Sequence, residues 1–243
     1  MDKPLIEAFE QIVGRRHSNR VFDANIEVPD EIIENALEQA TLSPNSSNMQ
    51  LWEFHWIAAP ALKAALAPLC LGQSAARTAK HLVVFVTRQG LWPARAKWNA
   101  ELIKASLTGE PNKGQKMALD YYQRLMPLVY RNDFLGLSTL FRRTVCFFMG
   151  LRKPFMRLGG KAEQRIMVHK SCALAAQTFM LAIAAADFDT CPMEGFDAKR
   201  AKALLKLPAD AEIGMIVAVG KGTAEGIYNP RNRVPLAQVI IKH

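Results

Sequence analysis

From Cys172 to Phe188 the chain is almost wholly apolar, interrupted by Gln177 and Thr178 before Asp187. A segment of this kind cannot face water, and it falls short of the roughly 20 residues that a bilayer crossing requires. The spacing predicts a buried core helix over residues 172–187. Layers from elsewhere in the 243 residues must therefore enclose it.

The rest of the chain supplies those layers. Leu5, Ile6, Phe9, Ile12 and Val13 recur at helical spacing after the start signals Asp2 and Pro4. Pro29, Asp30 and Glu31 open a second helix, whose apolar face is Ile32, Ile33, Leu37 and Ala40. Residues 41–50 hold a proline, three serines and two asparagines and are predicted to form a loop. Strands are predicted over 53–58, 81–87 and 213–219, with a helix over 61–69 and a long helical run over 93–130 broken near Gly109 and Pro111. Residues 236–241 read as an extended apolar tail with no neighbour to pair with through a tight turn. No repeat, low-complexity tract or linker divides the chain. The expectation is one α+β domain over residues 1–243.

Half the residues are hydrophobic and 22% are charged, which excludes a disordered polyelectrolyte. The N-terminus carries no apolar block of the signal-peptide type, so a soluble, cytoplasmic protein is expected. Cys70, Cys146, Cys172 and Cys191 are too scattered for a metal or disulfide framework and read as reduced thiols. The five histidines likewise form no metal pair, and no metal is expected. The formal charge is +9. Six of the basic residues (Arg142, Arg143, Arg152, Lys153, Arg157 and Lys161) lie between Asp133 and Glu163, where no acidic residue occurs and Phe and Met are interleaved.

Familiar catalytic signatures are missing. Gly220-Lys221-Gly222 follows a strand, but Pro230 stands where a dinucleotide-binding helix should begin. No G-x-S-x-G elbow occurs, and Cys191 beside Pro192 has no evident base. What remains is a set of donor-rich loops. Residues 15–20 (Arg-Arg-His-Ser-Asn-Arg) and residues 231–233 (Arg-Asn-Arg) carry guanidiniums that match phosphate oxygens bidentately, although each alone is also an ordinary solvated loop. Ser46, Ser47, Asn48 and Gln50 offer hydroxyls and amides. Residues 192–195 (Pro-Met-Glu-Gly) read as a bend after the central helix. Together these loops suit a phosphorylated cofactor that brings its own chemistry.

In this order and at these separations, residues 15–23, 43–52, 192–197 and 231–233 resemble the FMN-dependent nitroreductase family over essentially the whole chain. The resemblance implies a mainly antiparallel sheet surrounded by helices. It also implies an intertwined homodimer with two FMN in its interface, each C-terminal tail embracing the other subunit. Arg16, His17, Ser18 and Arg20 would contact the FMN phosphate, ribityl chain and pyrimidine edge, and Arg231 and Arg233 would complete the phosphate clamp. Pro44, Asn45, Ser46 and Asn48 would approach from the other subunit. Gln73 would lie near the pyrimidine ring, and Pro192, Met193, Glu194 and Gly195 would cover one flavin face.

The implied activity is hydride transfer from NAD(P)H to nitroaromatic, quinone or related electrophilic acceptors by a ping-pong cycle, with no side chain as essential acid or base. Two departures stand out: Leu51 where proline is usual, and the basic, aromatic segment at about 134–162. That segment is expected to be a lid or wall carrying Phe147 and Phe148, or else a structural flap; docking on a membrane surface is a more distant reading. Rival functions are a flavin-dependent dehalogenase or flavin-fragmenting relative and, outside enzymology, a basic module binding anionic membrane or nucleic acid.

Overall fold

The computed structural model describes residues 3–156 and 159–243. Asp2 and Arg157 lie outside the described residues. Helices α1 (Lys3–Arg15) and α2 (Asp30–Thr41) lead to strand β1 (Trp52–Ile57), and α3 (Pro60–Leu66) and α4 (Ser74–Thr78) lead to β2 (His81–Arg88). Then come α5 (Trp92–Ala105), α6 (Lys113–Asp120), a π-helical turn at Tyr121–Leu125, α7 (Met126–Tyr130) and α8 (Leu137–Arg152). Helix α9 (Lys161–Ala185) returns to the sheet, followed by β3 (Asp189–Met193), α10 (Ala198–Leu204) and β4 (Ala211–Gly220).

The four strands form one antiparallel sheet in the order β1-β2-β4-β3. Strand β2 is buried on both faces, which is why its sequence is continuously apolar rather than alternating. Leu82, Val84 and Val86 pack with Leu66, Cys70, Ala75, Met193 and Ile216 on one face. Val83 and Phe85 point the other way, to Ile33, Ala40, Phe179, Ile183 and Val217. The Phe85 and Phe179 rings meet edge to face at 5.5 Å. Between Phe85 and Val86 the β2–β4 register slips, and Gly214 takes up the bulge.

The core helix forms as expected, but it begins at Lys161. By length and composition α9 would suit a membrane span, yet it buries Cys172, Ala175, Ala176, Phe179 and Ile183 against the sheet. Asp187, in the left-handed region at φ 65°, ends the turn beyond it. Its carboxylate accepts from Arg15 at 2.7 Å and Lys221 at 2.6 Å, fastening this end of α9 to both ends of the chain. All four cysteines are free; Cys70, Cys172 and Cys191 are buried. Burial pushes the thiols of Cys70 and Cys172 up to about 11 and about 12, and Cys191, packed in the core, is likewise raised by burial against the pull of Arg20.

Two expectations are corrected. Residues 192–195 are not a bend directly after the helix: Pro192 and Met193 belong to β3, and Met193 is in the core. Proline is tolerated there because β3 is an edge strand. The tail is not extended throughout either; Leu236–Gln238 turns in a short 3-10 helix because Gln238 N–H and Ile240 N–H close on Pro235 O and Leu236 O.

Candidate functional site

Beyond α1, residues 16–23 run between two other segments. On one side Ser18 bridges Thr190 of β3, and Asn19 N–H donates to Thr190 O at 3.1 Å. On the other, Arg20 N–H donates to Gly226 O at 2.9 Å, Thr223 N–H to Val21 O at 2.9 Å, and Asp23 N–H to Lys221 O at 2.8 Å. Asn19 is the pin: it is buried, its Nδ2 donates to Thr223 O at 2.9 Å, and its Oδ1 accepts from Val21 N–H at 3.1 Å. Gly226 has no room for a side chain, since a Cβ there would stand 1.7 Å from Asn19 Oδ1.

The C-terminal arginines fold back onto this loop. Arg231 Nη1 donates to Val13 O at 3.2 Å, and its Nη2 donates to Arg16 O, so it meets carbonyls at and just beyond the end of α1. Arg231 and Arg233 thereby sit close enough to Arg16 to disfavour its charge. Burial first, then Arg231 and Arg233, pushes the Arg16 guanidinium below its ordinary value. Burial, Arg231 and Arg16 likewise lower His17, against which Asp189 pulls upward. Crowded guanidiniums with their forked donors suit an anion, and the donor set fits a phosphate monoester.

His17 gives a direct readout. Its folded value lies below the ordinary imidazole value of about 6.5. The flavin-free protein should therefore lose stability as pH falls from there through the lower folded value, because the unfolded chain takes up the proton first. A bound phosphate dianion reverses the sign of these surroundings. NMR titration of His17 should find its pKa raised on adding FMN; an unmoved pKa would place the phosphate elsewhere.

The remaining expected residues fall into four groups. Arg20 turns from the cluster to stack over the Tyr228 ring at 5.1 Å and lies near Cys191. Gln73 Nε2 donates to Gly195 O at 2.7 Å, which brings those two together at the end of β3, where Glu194 and Gly195 are exposed. The loop with Pro44, Asn45, Ser46 and Asn48 is elsewhere. Ser46 N–H donates to Ser171 Oγ at 3.2 Å, Asn48 Nδ2 to Asn99 Oδ1 at 3.1 Å, and Tyr121 and Tyr122 clasp Ser47. Ser171 and Ala184, which anchor this loop and the Arg15 end of the other, are roughly 20 Å apart along α9 at about 1.5 Å per residue. Phe147 and Phe148 pair edge to face at 5.4 Å on α8, 54% and 60% exposed.

Asn19, Asp189, Asn99, Tyr121 and Tyr122 were missed as site-builders. The polar run at 15–20 pointed to Asn19 only as one donor among several, and nothing local marks Asn99 or the π-helical turn.

Residues 13–221 match the profile of the Nitroreductase family. The chain is 28% identical to Protein DrgA of Synechocystis sp., over 97% of this chain and 95% of that one. It is 27% identical to the NADH dehydrogenase of Thermus thermophilus, over 98% and 97%. A protein of Exiguobacterium sibiricum, described as a nitroreductase and solved in complex with FMN, superposes with a TM-score of 0.70 at 22% identity, over 97% of both chains.

Proposed function

The chain belongs to the nitroreductase family of oxidoreductases, and we propose from that premise that it binds FMN and passes hydride from NAD(P)H to an electrophilic acceptor of the nitroaromatic or quinone class. The observation that carries the reading is the crowding of Arg16, Arg231 and Arg233 around His17, an arrangement that opposes itself until an anion arrives. The dehydrogenase and FMN-complex relatives support the donor and the cofactor.

FMN, when bound, supplies the hydride chemistry. The chain's part is to bind, orient and exclude water. Arg16, His17, Arg231 and Arg233 would hold the phosphate, Ser18 the ribityl chain, Arg20 and Gln73 the pyrimidine edge. The Pro192–Gly195 segment would wall one face. Because both substrates would use one face in turn, initial rates with NAD(P)H varied against a quinone should give parallel reciprocal plots. Intersecting plots would mean two separate sites.

A second copy of the chain completes the site in this reading. The loop of Pro44, Asn45, Ser46 and Asn48 is too far along α9 to meet the arginines of its own chain. Helix α1 buries no side chain and leaves Leu5, Ile6, Phe9 and Val13 exposed, as does the tail from Leu236 to Ile241. Light scattering with flavin absorbance should find a dimer with about one FMN per chain. An FMN-loaded monomer would sink the shared site.

A further inference from the structure

Helix α8 is built inside out. Its buried side chain is Arg142, 7% exposed, while Leu137, Leu140, Phe141, Val145, Phe147, Phe148 and Leu151 are between 37% and 64% exposed. Arg142 is spent on the protein: Nε donates to Gly159 O at 2.9 Å and Nη2 to Asn132 Oδ1 at 2.8 Å, and Nη1 donates to Arg131 O. Asp133 fixes the start of the helix by accepting from Leu137 N–H at 2.8 Å and Ser138 N–H at 2.6 Å. The helix is thus held firmly with its apolar side outward.

At about 100° per residue, the seven exposed apolar residues fall within an arc about 160° wide. Arg143 flanks one side of that arc, Arg152 lies within its other half, and Lys153 follows, exposed. Arg143 also reaches Glu163 at 3.5 Å. Next to the arc a groove of about 850 Å³ opens between α7 and α8, and Phe134, Leu135 and Leu128 extend the apolar surface into it while Arg124 and Arg131 stand among its walls.

We propose that α8 docks the protein on an anionic lipid bilayer, lying in the interface with its apolar arc at the acyl boundary and its flanking cations at the lipid phosphates. An apolar face with long cationic side chains at its edge and end, whose stems can lie along it while the charges reach outward, is how interfacial helices bind. Charge does not favour a second copy on this face: an antiparallel two-fold pairing about the middle of α8 would bring the two Arg143 side chains to the same edge of the contact. Anionic headgroups meet those charges instead. Phe147 and Phe148 then contact lipid rather than form a wall of the acceptor site.

The test is vesicle flotation of the FMN-loaded protein at low salt, with phosphatidylcholine alone or mixed with phosphatidylglycerol. The protein should float with the mixed vesicles and stay behind with the uncharged ones. Leu140→Glu/Leu151→Glu should abolish flotation, and Phe134→Asp, at a wholly exposed site before the helix, should weaken it. Arg152→Glu/Lys153→Glu should weaken it by about tenfold or more. Flavin content and mass by light scattering should be unchanged in all three. Native protein that ignores the mixed vesicles, or Leu140→Glu/Leu151→Glu protein that still floats, would overturn the proposal. So would a smaller mass for that variant, which would give the arc to a second copy.

Discussion

Arg16→Ala/Arg233→Ala should release the flavin from an otherwise folded protein. A charge-assisted hydrogen bond contributes about 1.5–3 kcal/mol net, so losing two weakens FMN binding by about 3–6 kcal/mol, a factor on the order of 10² to 10⁴. The fold should tolerate the change. Among the described residues Arg233 Nη1 reaches only the adjacent Asn232 O, and Arg16 is a charge that burial, Arg231 and Arg233 already disfavour in the flavin-free state. Arg231 is left in place because it ties the C-terminal segment to Val13 and Arg16. Equilibrium dialysis with FMN, alongside urea unfolding of the flavin-free proteins, separates the two effects. Unchanged FMN affinity would show that the cluster is not the phosphate seat.

Gly226→Ala should act in the opposite manner, through the fold first. The added Cβ would stand 2.6 Å from Val21 N as well as against the Asn19 side chain, and both are fixed by hydrogen bonds. Something must shift, at a cost of about 3 kcal/mol or more for overpacking of this severity. The segment that shifts carries Ser18 and Arg20, so flavin retention should fall together with the urea midpoint. Asn19→Ala in the same chain should recover little, because the backbone of Val21 remains in the way and the Asn19 hydrogen bonds are gone. A normal midpoint for Gly226→Ala would mean that this segment yields freely.

Much of the architecture could be read from the chain because its strongest signals are local. The unbroken apolar run of β2 and the helical spacing of α2 depend only on neighbours in sequence, and both stand where expected. Strand β3 was misread because Pro192 is a turn signal everywhere except at a sheet edge, and edge position is a property of the whole sheet. Helix α8 was seen as a basic aromatic segment, but that its arginine faces in and its phenylalanines face out follows from carbonyls at Gly159 and Arg131, which no periodicity reports. Of the site, the arginines were legible as residue types. Their convergence was given by the family resemblance and by no local pattern, because it depends on contacts between opposite ends of the chain.

Those contacts have a kinetic consequence. The hydrogen bonds that pull the proposed phosphate seat together join residues 204, 215 and 218 positions apart. Closing a loop of that size costs on the order of 5 kcal/mol in chain entropy before any contact repays it. The sheet and α9, with their shorter-range pairings, can form first and offer the surface on which both ends settle. During synthesis the carbonyls of Val13 and Arg16 must wait for their donor until Arg231 has been made. With the phosphate seat where we propose it, flavin capture would follow completion of the chain, and a protein ending before Arg231 would keep its core yet lose that seat.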